Sequence, residues 1–316
     1  MPTSARQFFT SAYGDRDPVD EGAVETWIDT PAGKRELILD PGNLRVKVLG
    51  LGSDDLDVPT IADLAAGLHD DAVPYTKFTA YALPGDEAAW ESRRYRKEGV
   101  IQGFFNNGID AHIWALYGED GRNETPRGDA HDEIVALASG KEPTPPEAPD
   151  GYACTAATVG DAGIISELMG ETFSAYASAM DEGTIAASIR DETHRFRLIH
   201  DSAGELAAVT SAEIDHKRRA AEMTDCATRT DERGKGLMSY LLWRLERDMV
   251  QDLGIRDLYT LARADETGMN CVFAKLGYDY TGRLVNNCRM PNGWESMNIW
   301  CRRVERVSGL DPALAF

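Results

Sequence analysis

The stretch Ala221-Glu222-Met223-Thr224-Asp225-Cys226-Ala227-Thr228, continued by Arg229-Thr230-Asp231-Glu232-Arg233-Gly234-Lys235-Gly236-Leu237-Met238-Ser239, decides the fold. Its first eight residues alternate and predict a strand, with Glu222, Thr224, Cys226 and Thr228 on one face and Met223, Asp225 and Ala227 on the other. A turn crowded with charge and glycine follows. Leu237, Tyr240, Leu241, Leu245 and Met249 then recur at helical spacing. Gly234 and Gly236 let the backbone turn tightly and approach a ligand. The free N–H groups and the dipole at the helix start favour an anion in that turn. Taken alone, such a turn is also an ordinary strand-to-helix connection. Three features add weight. Arg229, Arg233 and Lys235 gather positive charge in a chain of formal net charge -20. Glu222 supplies a carboxylate on the preceding strand. A second strand (257–264) and a second helix (267–278) come next.

The Arg233-Gly234-Lys235-Gly236 turn resembles the pyrophosphate loop of the GNAT superfamily of acetyl-CoA-dependent N-acetyltransferases, whose pattern is Arg/Gln-x-x-Gly-x-Gly/Ala. Arg233 and Gly236 match that pattern, while Met238 stands where glycine or alanine is usual. The run FAKLGY (273–278) resembles the superfamily's last-helix signature. The wider text, TDCATRTDERGKGL with LYTLARADETGMNCVFAKLGYDYTGRLVNNC and ESMNIW, resembles one branch, the β-lysine N-ε-acetyltransferases. The superfamily resemblance covers roughly 152–304, and the branch resemblance extends more weakly over the N-terminal half. It implies a mixed, mostly antiparallel sheet flanked by helices, acetyl-CoA as cosubstrate, and a small amine as substrate. The branch makes the compatible solute N-ε-acetyl-β-lysine.

Length and composition bound these expectations. With 316 residues and 42% hydrophobic content the chain can build two cores. No run of about 18 apolar residues occurs, so no membrane span is expected. The N-terminus lacks the long apolar core of a secretory signal. Five scattered cysteines, with no Cys-x-x-Cys and no zinc spacing, read as reduced thiols in a cytoplasmic protein without a metal. Asp plus Glu total 53 against 33 Lys plus Arg, which disfavours nucleic acid as a partner. Only 8 of those 33 are lysine. Such a surface suits a salt-rich cytoplasm, where screening hides self-repulsion; a merely acidic, arginine-rich protein is the alternative.

Along the chain, paired strands are expected at 35–40 and 44–49, a helix at 59–69, a strand at 75–82 and a helix at 85–98. Two strands follow at 100–105 and 111–117. Together they outline an N-terminal α/β domain over 1–140. A Pro-rich segment, 141–151, reads as a linker. An acetyltransferase domain is expected over 152–316. It begins with a strand and a helix capped by Asp161, with Ile164, Leu168 and Phe173 on one face, then a helix over 181–192. Three strands follow around 195–228, then the loop and long helix, strand 257–264, helix 267–276, and closing strands near 278–289 and 295–304. The two halves end alike: YRKEGVIQGFFNNGIDAHIW (95–114) can be laid on YDYTGRLVNNCRMPNGWESMNIW (278–300). Chance between two hairpins is one account of this. A shortened, degenerate copy of the same fold is the other. Lacking a counterpart of the glycine loop, the first half is expected to cover the substrate pocket or form an interface, which leaves a homodimer open.

The resemblance also assigns chemistry. Backbone groups of Cys226, Ala227 and Thr228 would align the pantetheine arm, and Arg233, Gly234, Lys235, Gly236, Leu237, Met238 and Ser239 would cradle the pyrophosphate. Asn270 and Phe273, on the last helix, would stand against the cofactor. An ε-ammonium has an unperturbed pKa of about 10.4 and must lose its proton before it attacks. Glu222, six residues before Thr228, has the spacing of the general-base glutamate in histone-acetylating GNATs. Asp225 is the second candidate, on the other face if alternation holds. Phe273 occupies the position at which many members carry an acidic tyrosine, leaving Tyr278, Tyr259 or water as proton donor. Arg263, Asn286, Asn287 and Asn298 are candidates for gripping the substrate. Cys226 as a nucleophile lacks a suitably placed histidine. Another amine substrate, or a non-catalytic acyl-CoA-binding regulator, are the competing readings.

Overall fold

A computed structural model describes residues 22–69, 75–118, 122–173, 181–290 and 293–304. In these residues thirteen strands form one sheet. The first half contributes β1 (Val24–Thr30), β2 (Gly33–Asp40), β3 (Arg45–Leu51), β4 (Lys77–Ala82), β5 (Arg96–Phe105) and β6 (Ile109–Tyr117). The second half contributes β7 (Ala153–Ala156), β8 (His194–His200), β9 (Leu206–Asp215), β10 (Ala220–Thr228), β11 (Asp257–Arg263), β12 (Asp279–Met290) and β13 (Gly293–Arg303). The helices are α1 (Pro59–Ala66), α2 (Glu87–Ser92), α3 (Gly128–Ser139), α4 (Ala162–Thr172), α5 (Glu182–Arg190), α6 (Leu237–Asp252) and α7 (Thr267–Lys275).

The strand order is β1-β2-β3-β4-β6-β5-β12-β13-β11-β10-β9-β8-β7. Read toward the middle, β1-β2-β3-β4-β6-β5 and β8-β9-β10-β11-β13-β12 are the same arrangement. Each contains a parallel pair, β3 with β4 and β10 with β11, among antiparallel neighbours. Each crossover carries a helix, α1 in one half and α6 in the other. The two arrangements meet where Gly99 of β5 pairs with Gly282 of β12. These are the glycines that the 95–114 and 278–300 alignment superposes. At both, φ is positive, +159° and +150°. A Cβ on Gly282 would sit 2.3 Å from the Glu98 carbonyl oxygen, and one on Gly99 would sit 2.8 Å from that of Thr281. Only glycine permits so close a crossing of two backbones.

The helices explain what the outer face buries. Ile61 and Leu64 of α1 and Trp90 of α2 pack on Val46, Val48, Phe78 and Trp114. Leu241, Leu242, Leu245 and Met249 of α6 and Phe273 of α7 pack on Ala212, Met223, Leu258 and Trp300. The inner face holds a core to which both halves contribute: Leu49, Tyr81, Ile101, Phe104 and Ile113 with Leu284, Ile299 and Cys301. The β9–β10 turn reaches across to the first half. Arg218 donates to Glu36 at 2.5 Å, and Lys217 Nζ lies 4.4 Å from the Trp27 ring centre. Since β2 lies second from one sheet edge and β9 third from the other, this contact requires the sheet to curl around the inner core.

Several expectations need correction. The helix expected over 85–98 is only α2: Arg93 leaves helical geometry, Arg94 has φ +65°, and β5 already begins at Arg96. On α4 the buried stripe is Ala162, Ile165, Leu168 and Met169, while Ile164 is 41% exposed. Asp161 makes no side-chain cap to α4; its carboxylate accepts from Thr158 N instead, at 2.7 Å. Of the polar N-terminal thirty residues, 24–30 form β1, and 1–21 lie outside the described residues. Helix α3 follows no expected element, and its Ala138 joins the core under α6. The 141–151 segment has no regular structure, and Thr144 N donates to the Lys275 carbonyl at the end of α7.

Candidate active site

β10 and β11 pair in parallel only at Ala220–Asp257, Ala221–Leu258 and Glu222–Tyr259. Beyond that point the two strands part, and β10 exposes a backbone edge along Met223–Thr228. Glu222 therefore stands where the split opens. Its antiparallel neighbour is Glu213 of β9. Burial, and then the Glu213 charge, push the Glu222 carboxyl up to about 8; Lys47 and a hydrogen bond with Tyr259 oppose the shift. Burial and the same Glu222 charge raise the Tyr259 phenol well above its ordinary value, so it keeps its proton.

The face assignment of Asp225 is corrected by a bulge. The β9–β10 register shifts between Thr224 and Ala227, and Asp225 takes φ +51°. Ser211, two residues from Glu213, shares the Glu222 face, and its hydroxyl donates to Asp225 at 2.6 Å. Asp225 therefore lies on the same face as Glu222. Cys226 turns away, with Sγ 3.3 Å from the Thr210 hydroxyl. Simple alternation fails because two residues of β10, Asp225 and Cys226, oppose one on β9, Thr210.

After Thr228 the chain turns through Arg229–Gly236 into α6. Gly234 and Gly236 adopt φ +80° and +79°, and space is open within 4 Å of where a Cβ would project. Gly236 is the N-cap and provides no side-chain cap, so the first N–H groups of a sixteen-residue helix face that space. The three cations differ in what they hold. Arg229 binds Asp201 and Asp231, both at 2.8 Å. Lys235 binds Glu232 at 2.8 Å. Arg233 meets only the Thr228 carbonyl, at 3.3 Å, among its hydrogen bonds in the described residues. Leu237 and Met238 are buried under the sheet, and Ser239 is half-buried at the rim.

The remaining sequence candidates are held by the protein itself. Asn270 is fully buried and spends all four of its hydrogen bonds: it donates to the Arg263 and Glu266 carbonyls and accepts from Asn298 and Trp300. Asn298 also accepts from Arg283 at 2.8 Å. Arg263 clasps Glu295 at 2.5 and 2.7 Å. Asn286 and Asn287 sit in a second bulge, between Leu284 and Cys288 of β12. Cations of the first half bind this bulge: Lys77 donates to the Val285 carbonyl, Arg122 to that of Asn286 and Arg45 to that of Asn287. Phe273 packs against Tyr278 in the outer core, with ring centres 5.2 Å apart. Tyr278 is thereby on the face away from Glu222, whereas Tyr259 is beside it.

Sequence reading missed the wall opposite Glu222. β3 presents Arg45, Lys47 and Leu49 to the inner face, across from Val46 and Val48 on the outer face. Lys47 and Glu222 feel each other's charge across the interior, with Tyr81, Arg45 and Cys288 nearby. A signal existed: in a strand with neighbours on both sides and valines on one face, charges on the other face must line a cavity or pair. Among the described residues no group of three metal-ligating side chains is placed to hold a metal. No described helix is long and apolar enough to cross a membrane.

The profile of the Acetyltransferase (GNAT) family matches residues 163–278. A Beta-lysine N(6)-acetyltransferase of Methanosarcina mazei is 33% identical over 249 residues, 72% of this chain and 90% of that protein. The chain belongs to the GNAT acetyltransferases, in the β-lysine N(6)-acetyltransferase branch. This GNAT chain is also 30% identical to the N-acetyltransferase YodP of Bacillus subtilis, over 83% of the chain and 93% of that protein. It is 27% identical to a second Beta-lysine N(6)-acetyltransferase, of Methanococcus maripaludis, over 83% of the chain and 94% of that protein. It is an N-acetyltransferase, and members of its family use acetyl-CoA. The matches to YodP and to the M. maripaludis protein each span more of the chain than its second half holds, so they take in part of the first half too.

Proposed function

We propose that this acetyltransferase moves acetyl from acetyl-CoA to the ε-amine of β-lysine, with Glu222 as the base that takes the ammonium proton. The observation that carries the reading is the position of Glu222 at the opening of the β10–β11 split, one strand-length from the uncapped start of α6. The open space at Gly234 and Gly236 fits a pyrophosphate, with Arg233, which among the described residues donates only to the Thr228 carbonyl, as its cation. The β10 edge over Cys226, Ala227 and Thr228 fits an extended amide arm. Acetyl-CoA supplies the activated acetyl group as a thioester. Glu222 binds the incoming ammonium and accepts one proton, and the neutral nitrogen then attacks the acetyl carbon with the lone pair this frees. The carbon–sulfur bond breaks, the sulfur leaves as a thiolate, a fair leaving group without a strong acid, and the second proton that the nitrogen sheds as the amide forms goes to that thiolate. Asp225 reinforces the negative field that favours an ammonium here. Tyr259 holds the Glu222 carboxyl in place and retains a proton within reach. The Asn270 and Asn298 amides fix α7 and β13 rather than touch substrate. β-Lysine as the amine rests on the names of the relatives, and the product would be a compatible solute. The acidic surface suits the salt-rich cytoplasm in which such a solute is made.

The test is release of CoA thiol from acetyl-CoA with β-lysine, α-lysine, a polyamine and a peptide amine, in low and in molar salt. A kcat/KM highest for β-lysine is expected. Preference for another amine would replace the substrate, and cofactor binding without turnover on any amine would overturn the enzymatic role of Glu222.

A further inference from the structure

The repeated strand arrangement makes the two halves comparable residue by residue. Trp114 and Trp300 end the two aligned segments and are equivalent. Trp114 pairs with Ala80 of β4, and Trp300 pairs with Thr260 of β11. One residue earlier, Thr79 of β4 therefore corresponds to Tyr259 of β11. Thr79 pairs in parallel with Lys47, as Tyr259 pairs in parallel with Glu222. Lys47 is thus the counterpart of Glu222: each is a charged residue at the inner face of its half, of opposite sign, and the curl of the sheet turns them toward one interior.

Lys47 is held by little else. Among the described residues its ammonium has no hydrogen bond and no ion pair; the nearby carboxylate of Asp40 is taken by Arg45, at 2.8 Å, and by Asn43. Beside it, the Thr79 hydroxyl is buried and has no hydrogen-bond partner among the described residues. The Lys47 side chain is half-buried, so a ligand can reach its ammonium, and the buried unpaired hydroxyl beside it is unfavourable until an acceptor completes it. Burial, and then the neighbouring Arg45, hold the Lys47 pKa below its ordinary value, which an incoming anion would reverse. At the opposite wall, Glu222, Glu213 and Asp225 favour a cation. The interior is therefore polarised, positive toward β3 and negative toward β10.

We infer that Lys47, with the Thr79 hydroxyl, binds the carboxylate of the substrate and makes the first half the part of the molecule that selects an amino acid over a plain amine. This rests on the proposed acetylation of an amino-acid side-chain amine at Glu222. A diamino acid then lies across the interior, its carboxylate at β3 and its reacting amine at β10. A polyamine would instead set a cation against Lys47 and be disfavoured.

The experiment compares β-lysine with pentane-1,4-diamine, the same molecule without its carboxylate, in wild type, Lys47→Met and Lys47→Arg. Wild type is expected to favour β-lysine in kcat/KM. In Lys47→Met that preference should fall by about 10- to 100-fold, chiefly through KM, with Lys47→Arg recovering part of it and the acetyl-CoA Kd unchanged in both. An unchanged preference in Lys47→Met, or an equal loss on both substrates, would overturn the inference. If wild type prefers another amino acid, β-lysine is the wrong substrate, and the same ratio measured on that amino acid and its decarboxylated form still decides Lys47. If wild type prefers the diamine, the inference itself falls. If Lys47→Met fails to bind acetyl-CoA, Thr79→Val replaces it, with the same loss of preference expected and its absence counting against the inference.

Discussion

The Glu222 carboxyl, raised to about 8 by burial and by Glu213, sets a pH dependence. As a base it must be ionised, so kcat/KM for the amine, which reports the free enzyme, should climb as pH rises through about 8. Glu222→Gln should lower turnover by about 10²-fold or more, remove that limb, and leave the acetyl-CoA Kd nearly unchanged; stopped-flow thiol release across pH 6 to 10 would show it. Full activity in the variant would take Glu222 out of the reaction. The face on which Glu222 lies could be read from sequence because it precedes the bulge, where alternation still holds. Asp225 could not be placed, since a bulge shifts the register after Thr224 and no side-chain pattern marks it. Arg263 and Asn270 have suitable chemistry for a ligand, but Glu295, Asn298 and Trp300 use it. These partners all sit on β13, so their competition is invisible along the chain.

Among the elements, the junction of β10 and α6 was the most readable, because glycine pair, charge and helical spacing are all local there. At Gly236 an added Cβ meets no neighbour within 4 Å, and a large side chain there would fill the space above the helix start. Gly236→Trp should therefore keep the fold, at a strain of roughly 1–2 kcal/mol for a left-handed residue, and abolish acetyl-CoA binding. Calorimetric titration and far-UV circular dichroism separate the two effects, and retained binding would place the cofactor elsewhere. Less readable were α2, cut short by two arginines that carry no breaker signal, and α3, which opens without a capping side chain and buries only His131 and Ala138. The β12 bulge is likewise set by distant residues: Lys77, Arg45 and Arg122 bind its carbonyls, and Glu98 accepts from Val285 N.

For the whole molecule, sequence showed two similar endings but not that they adjoin in one sheet. Continuity depends on Gly99 meeting Gly282 and on an inner core drawn from both halves. The Lys77–Glu98 pair, fully buried at 2.9 Å, joins the halves further through Val285. Lys77→Met leaves Glu98 buried without its cation and should cost about 3–5 kcal/mol. Because the cores are shared, wild type and variant should each melt in one transition seen alike by fluorescence and calorimetry. Two separate transitions would mean that the halves fold independently. Gly99→Ala should destabilise by more than about 2 kcal/mol in urea titration, because the added methyl meets backbone at 2.8 Å.

That glycine contact has a bearing on how such a gene can change. Most tight contacts between side chains can drift, since a larger group on one side can be answered by a smaller one on the other. Here each site meets main chain, the Thr281 carbonyl for Gly99 (with the Ile299 side chain beside it) and the Glu98 carbonyl for Gly282, and no codon can shrink a carbonyl. A mutation at either position has no second-site answer at the other. The two codons are locked singly, each by the path of the opposite strand.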